Sequence, residues 1–255
     1  NRMTKLNGGT PISDGPFRNG TMYLTYTNEG MPIGAFWGYK TDGLIQTQEQ
    51  LNAVKRADFQ PNAELGDVLF VDTNGDGKLD SSDRCMIGNP IPDIIYGINM
   101  GMAWKGFDLN LQFGGTIGNQ IFNAMRYYTY FPNDITNKDR ALMNYWTPTN
   151  TNTDIPRLTA TDVNDNDRFS DMYVENGTYF RLRNAQLGYT LPASLTQRIK
   201  LQKVRFYVSG QNLFTISSYS GMDPEVGQSS SLSRGIDYGI YPQNRSFTGG
   251  FNVTF

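Results

Sequence analysis

Apolar and polar residues alternate most strictly at the end of the chain. Phe247, Gly249, Phe251, Val253 and Phe255 fall on one side, and Ser246, Thr248, Gly250, Asn252 and Thr254 on the other. A repeat of two is the mark of a strand whose two faces meet different surroundings. A pattern kept up to a terminal Phe predicts a last strand that is paired and placed, as barrel closure requires, rather than a frayed tail.

The same repeat recurs upstream. Tyr96, Ile98, Met100, Met102 and Trp104 share one face, opposite Gly97, Asn99, Gly101 and Ala103. Lys105-Gly106 predicts a tight turn, with Gly106 free to take a positive φ. The return strand sets Phe107, Leu109, Leu111 and Phe113 against Asp108, Asn110 and Gln112. Residues 179–190 change phase, from Phe180 and Leu182 to Ala185, Leu187 and Tyr189, which predicts a bulge near Asn184. Residues 203–212 alternate Val204, Phe206, Val208 and Gly210 with Arg205, Tyr207, Ser209 and Gln211. Met22, Leu24 and Tyr26 mark a further strand over 21–27.

Other segments read as helix or loop. Thr47 caps a short helix over 47–57, with Gln50 three residues on and Leu51 and Val54 at helical spacing. Helices are also predicted over 119–130 and 139–146, inside a long excursion covering 114–175. Residues 193–199 form a short connector, and 217–244 form another long polar loop. Short turns thus alternate with long loops, the habit of outer-membrane barrels.

Composition narrows the classes. No apolar run approaches the ~20 residues of a membrane helix, but membrane barrels need apolar residues only at every second position. The chain of 255 residues has 15 Tyr, 15 Phe, 3 Trp and 27 Gly, a mixture suited to strands, turns and aromatic girdles. A net charge of −2 argues against nucleic acid as a partner. One cysteine, Cys85, excludes an internal disulfide and reads as a small buried residue. The absence of histidine removes His bases, His triads and His metal sites together. With no nucleophile–base pair visible, the chain does not read as an enzyme, and the carboxylates of 162–167 read as solvated loop groups. With Asn1 as its first residue, the chain reads as the C-terminal part of something longer.

One loop carries candidate chemistry. Asp72, Asn74, Asp76, Asp80 and Asp83 occupy positions 1, 3, 5, 9 and 12 of the calcium-loop template, with Gly77 at the sharp turn. Lys78 would offer its backbone carbonyl, and Leu79 would anchor the loop to its neighbour. The candidate metal ligands are therefore Asp72, Asn74, Asp76, Lys78, Asp80 and Asp83, with calcium as a structural ion. An ion-free turn rich in Asp and Asn is the alternative. Val68 and its neighbours read as extended, so this is not a helix–loop–helix sensor.

Two further groups stay open. Tyr127, Tyr128, Tyr130, Phe131, Tyr145 and Trp146 either stack on sugars, pack on a partner, or form the excursion's own small core. Arg181, Arg183 and Arg205 lie on strands and read as lining a polar lumen.

The ordered set of motifs resembles the C-terminal portion of the SusC/RagA family of TonB-linked outer-membrane transporters. It is carried by Pro32-Ile33-Gly34-Ala35-Phe36-Trp37-Gly38-Tyr39-Lys40-Thr41-Asp42-Gly43-Leu44, and by Gly66-Asp67-Val68-Leu69-Phe70-Val71-Asp72 leading into the calcium-like loop. Then come Ile87-Gly88-Asn89-Pro90-Ile91-Pro92-Asp93, the hairpin 94–113, and Tyr179-Phe180-Arg181-Leu182-Arg183-Asn184. Gly210-Gln211-Asn212-Leu213-Phe214 and Gly221-Met222-Asp223-Pro224-Glu225 complete it. Thr248, Gly250, Val253 and Phe255 also fall in the register of an outer-membrane assembly signal.

The resemblance implies an all-β fold: the last part, residues 1–255, of an antiparallel transmembrane β-barrel of about 22 strands, with long extracellular loops containing short helices. The plug domain would lie outside this chain. It implies import of an oligosaccharide or peptide across the cell outer membrane, driven by TonB through the absent N-terminal part. A SusD-like lipoprotein would be the partner and outer-membrane lipid the surroundings. The alternative is a secreted, calcium-stabilised β-protein that binds carbohydrate or cell surfaces.

Overall fold

A computed structural model describes residues 1–130, 137–227 and 230–255. In chain order the strands and helices are β1 (Ile12–Phe17), β2 (Met22–Thr27), β3 (Ala35–Gly38), β4 (Thr41–Leu44), α1 (Gln48–Arg56), β5 (Val68–Phe70) and β6 (Cys85–Gly88). There follow β7 (Ile94–Trp104), β8 (Phe107–Ile117), β9 (Gln120–Asn123), α2 (Ala124–Tyr130), β10 (Val174–Asn176), β11 (Tyr179–Thr190), α3 (Ala193–Thr196), β12 (Lys203–Ser217), β13 (Ile236–Asp237) and β14 (Ser246–Thr254). The chain divides into two compact units.

The first unit comprises Asn1–Ile91, Gln120–Glu175 and Val226–Ile240. It holds three small sheets, ordered β1-β2-β3-β6, β10-β9-β13 and β4-β5. Its main core gathers Phe17, Leu24, Phe36, Phe122, Tyr127, Phe169, Tyr173 and Ile236. Phe122 is the hub, edge-on to Phe17 at 5.4 Å and to Phe169 at 4.9 Å between centroids. The predicted helix α1 forms with its capping box complete: Thr47 accepts from the Gln50 N–H and Gln50 reaches back to the Thr47 N–H.

Two helix expectations change in this unit. The segment 119–130 is a strand and then a helix, because Ile121 and Phe122 are drawn into the core and β9 pairs in parallel with β13, Phe122 opposite Ile236. Over 139–146 only a 3₁₀ turn, Arg140–Asn144, forms, capped by Asp139. Cys85 is half-buried on β6 rather than buried, since its edge position leaves one side open.

The second unit comprises Pro92–Asn119, Asn176–Glu225 and Tyr241–Phe255. It is one antiparallel sheet in the order β14-β12-β11-β8-β7. The strands exceed the expected bounds: β8 runs to Ile117 and β12 to Ser217. The predicted bulge is present, the register slipping between Leu182 and Asn184 against both neighbours. Lys105 and Gly106 both take positive φ, +45° and +88°. That is the pair of left-handed residues a two-residue hairpin turn needs. Pairing continues to Thr254, opposite Lys203, while Phe255 stands beyond the last pair and exposed.

Candidate functional site

The register of the second unit sorts its side chains into two faces. Residues directly opposite in an antiparallel pair lie on the same face. One row runs Trp104, Phe107, Tyr189, Phe206, Phe251 across all five strands. Phe107 and Tyr189 touch at 4.5 Å between centroids. A second aromatic group, Phe113, Phe180 and Phe214, sits toward the other end, with Phe113 stacked on Phe180 at 5.2 Å. Between them lie Met100, Leu111, Ala185, Gly210 and Phe247, and Met102, Leu109, Leu187, Val208 and Gly249.

This apolar face is open: Met102, Trp104, Val208, Phe247 and Phe251 are all more than 60 % exposed. A contiguous exposed apolar surface of this kind calls for lipid or a covering partner. Strands of nine to fifteen residues suffice to cross a hydrocarbon layer when tilted. Aromatics at both ends match the girdles of membrane barrels.

The opposite face is polar. Asn99, Gln112, Asn184, Gln211 and Ser246 form one row, and Gly101, Asn110, Gln186, Ser209 and Thr248 the next. The three predicted arginines lie on this face, each paired. Arg205 binds Asp108 through Nε at 2.8 Å, Arg183 reaches Glu225 at 2.9 Å, and Arg181 holds Asp223 and Glu225. Asp223 and Glu225 were not singled out by their chemistry in the sequence, because their partners stand more than forty residues away.

In the first unit, the 72–83 loop is organised by its own carboxylates. Asp72 accepts from the N–H groups of Gly75 and Gly77 at 2.7 and 2.8 Å, and these glycines take φ of +77° and +78°. Those bonds hold the Asp72 carboxyl below its ordinary pKa, the Gly77 N–H foremost. Asn74 accepts from the Asp76 N–H, and Asp76 from the Lys78 N–H. Asp80 accepts from the Ser82 N–H. Asp83 is wholly buried, and its two oxygens accept from Thr73 and Asp80 N–H at 3.0 Å each. Leu79 packs against the cluster of Leu44, Phe59, Val68, Phe70 and Trp146, the anchoring role its position predicted. Among the described residues no group of three or more Asp, Glu, His or Cys side chains is gathered to hold a metal ion. The donor types are those a hard cation takes, and the Asp83 oxygens each keep a second lone pair, whereas Asp80 Oδ1 accepts from both the N–H and the hydroxyl of Ser82. Lys78 and Leu79 also line a polar cavity of about 310 Å³ with Gln60, Asn164 and Arg168.

Of the carboxylates of 162–167, Asp165 is exposed as expected, but Asp162 is not simply solvated. Asp162 accepts from Asn166 Nδ2 at 3.0 Å and from the Asp167 N–H at 3.1 Å. Asn164 and Asn166 are buried, and Asn166 also donates to Asp67, which is fully enclosed. Arg157 Nε closes the network on Asp67 at 2.6 Å. Asp67 and Arg157 escaped the sequence reading because they are ninety residues apart. Of the aromatic patch, Tyr127 and Trp146 are buried in two separate clusters shared with residues outside the excursion, Tyr128 packs against the first, and Tyr130 and Tyr145 are half-buried. Phe131 lies outside the described residues.

No protein-family model matches the chain. Over its whole length it is 38 % identical to TonB-dependent receptor P3 of Formosa agariphila, covering 26 % of that protein. It is 32 % identical to TonB-dependent receptor P26 of the same bacterium, over 89 % of this chain and 23 % of the relative. Over 77 % of this chain it is 29 % identical to TonB-dependent receptor SusC of Bacteroides thetaiotaomicron, covering 18 % of it. Among solved structures it is similar to the RagAB peptide importer in its open-open state, with a TM-score of 0.71 and 25 % identity over 100 % of this chain and 25 % of that one. The structure of the RagAB peptide transporter shares the fold, with a TM-score of 0.68 and 24 % identity over 91 % of this chain and 24 % of the other. The chain spans about a quarter of the length of the first two curated relatives.

Proposed function

We propose, from the premise that the chain belongs to the TonB-dependent receptors of the SusC/RagA kind, that it supplies wall and outer loops to a nutrient importer of the outer membrane. The observation that carries this reading is the two-faced sheet, with an exposed apolar face bounded by aromatics and a polar face rich in amides. A water-filled or plugged lumen on one side and lipid on the other require that division. The secreted alternative would place the apolar face inside a sandwich, and here that face is open.

Residues 1–255 would form the last part of the barrel, with a plug supplied by another part of the parent protein. Import would be driven by TonB and completed by a SusD-like surface lipoprotein, with an oligosaccharide or peptide as cargo. No catalytic step is part of this reading. Calcium would serve the 72–83 loop as a structural ion. Its support is the register of oxygen donors about Gly77 and the packing of Leu79 beneath the loop.

The test is made on the intact receptor in its own membrane. It should resist extraction by salt and alkaline wash, need detergent for release, and bring a surface lipoprotein with it. Cells lacking it, or lacking TonB, should lose uptake of a labelled oligosaccharide or peptide. Release into aqueous buffer without detergent would overturn the reading.

A further inference from the structure

Among the described residues Arg181 is the largest of the fully buried side chains, at 2 % exposure, although it stands on the polar face of the second unit's sheet. Its neighbours across the sheet are Gly114 on β8 and Thr215 on β12. A Cβ at Gly114 would stand 2.7 Å from Arg183 Nε, so glycine leaves room there for a guanidinium. What covers Arg181 is the chain that leaves β12. Arg181 donates from Nε to Thr215 at 2.8 Å, from one terminal nitrogen to Glu225 at 2.9 Å, and from the other to Asp223 at 2.5 Å. Arg183 adds a more exposed bond to the second oxygen of Glu225, at 2.9 Å.

Asp223 is the joint. The oxygen that meets Arg181 also accepts from the Glu225 N–H at 2.9 Å, and its other oxygen accepts from the Gln243 N–H at 3.0 Å. Residues 223 and 243 belong to the outgoing and returning limbs of one long connection. A single carboxylate therefore ties both limbs together, and a single buried guanidinium holds that carboxylate to the wall. Removing one member of such a pair leaves the other charge buried and unpaired, which is strongly destabilising.

We propose that residues 218–225 form a strap folded inward over the polar face of the wall, with Arg181 as the positioning residue that closes the base of the 218–244 connection through Asp223. The inward direction rests on the barrel reading above, in which the polar face lines the lumen. The strap then narrows the lumen at the end where the long connections leave the sheet. Arg183 and Glu225 reinforce it from a more exposed position.

The experiment uses the intact receptor in outer-membrane vesicles, with trypsin as the probe. Arg245 is a tryptic site two residues beyond Gln243 on the returning limb, within the second unit. Arg181→Gln and Asp223→Asn should each raise the cleavage rate at Arg245 about tenfold or more, with Arg183→Gln well below that. The double variant should exceed neither single variant by much, since both remove one shared interaction. Heat-modifiable migration on a gel checks that the barrel is folded; if Arg181→Gln fails to assemble, Asp223→Asn and Arg181→Lys carry the test. A Gln112→Cys reporter labelled by a membrane-impermeant maleimide should react faster when Arg181 is also replaced by Gln. Unchanged cleavage in folded Arg181→Gln and Asp223→Asn receptors overturns the strap, and unchanged labelling overturns its narrowing of the lumen. Extraction of the receptor without detergent would sink the barrel reading but leave the cleavage result standing.

Discussion

Trp104 and Phe251 stand on opposite edges of a five-stranded sheet, yet they end one cross-strand row that also holds Phe107, Tyr189 and Phe206. Five strands from three separate stretches of the chain thus set their aromatics at one level. Cross-strand aromatic pairs also stabilise sheets whose face is covered, but this face is open. At a membrane boundary the alignment places amphipathic or bulky rings where hydrocarbon meets headgroups.

The wall assignment predicts opposite responses at adjacent residues of β8. Leu111 lies on the apolar face and Gln112 on the polar one. Leu111→Arg should destabilise the intact receptor in lipid vesicles by about 2–4 kcal/mol, whereas Gln112→Arg should cost less than about 1 kcal/mol. Denaturant unfolding followed by tryptophan fluorescence measures both. Equal costs would show that the two faces meet the same medium.

Local signals were legible in the sequence and long-range ones were not. The α1 capping box depends on Thr47 and Gln50, three residues apart, and the tight turn on Lys105 and Gly106. The bulge before Asn184 was visible because a phase change lies within one strand. Ile121 and Phe122, by contrast, have helical spacing but join a strand, since their partner Ile236 comes more than a hundred residues later. The aromatic row was hidden for the same reason: a period of two says which face a ring takes, while its height follows from register between strands. In the candidate ion loop, the turns were legible from the Asp, Asn and Gly spacing, but the inward use of both Asp83 oxygens was not.

Gly66 gives a packing prediction inside the first unit. Its φ is +86°, and a Cβ there would overlap the ring of Trp146. Gly66→Ala therefore combines backbone strain with overpacking and should cost about 2 kcal/mol or more. Hydrogen exchange over 44–70 should report faster opening. Pairing it with Trp146→Leu should recover part of the loss, because the smaller side chain clears the clash but leaves the strained φ.

Two carboxylates should answer acid in opposite directions. Burial, with Asp167 and Asp67 adding repulsion, raises the Asp162 pKa above 3.8 even though Asn166 and Asp167 bond to it. A raised folded value means the folded state binds the proton more tightly, so stability from this group is lost as pH rises through the folded pKa and regained as pH falls toward 3.8. For Asp72 the folded value is lowered, so its contribution is present above 3.8 and lost as pH falls through the folded pKa. Protection factors over 157–168 should therefore rise on mild acidification from neutrality and flatten in Asp162→Asn. Those over 72–77 should hold down to about pH 3.8 and weaken as pH falls further through the lowered Asp72 value. A fall at both segments in the mild range would contradict the Asp162 assignment.

The calcium reading of the 72–83 loop predicts a local effect rather than a global one. Lys78 and Arg84 are tryptic sites in or beside the loop. Adding calcium to chelator-treated intact receptor should slow cleavage at both, while strand exchange in β7, β8 and β11 stays unchanged. Magnesium should protect less, since it demands a tighter octahedral shell and gives up its water reluctantly. Asp76→Ala should abolish the calcium effect, because its removal takes away a charged donor beside Gly77. Gly77→Ala should weaken the loop with or without the ion by about 1 kcal/mol, since φ of +78° disfavours any side chain although the space around it is open. Identical cleavage with calcium and with chelator would mean that the carboxylate-to-backbone bonds of Asp72, Asp80 and Asp83 hold the loop unaided.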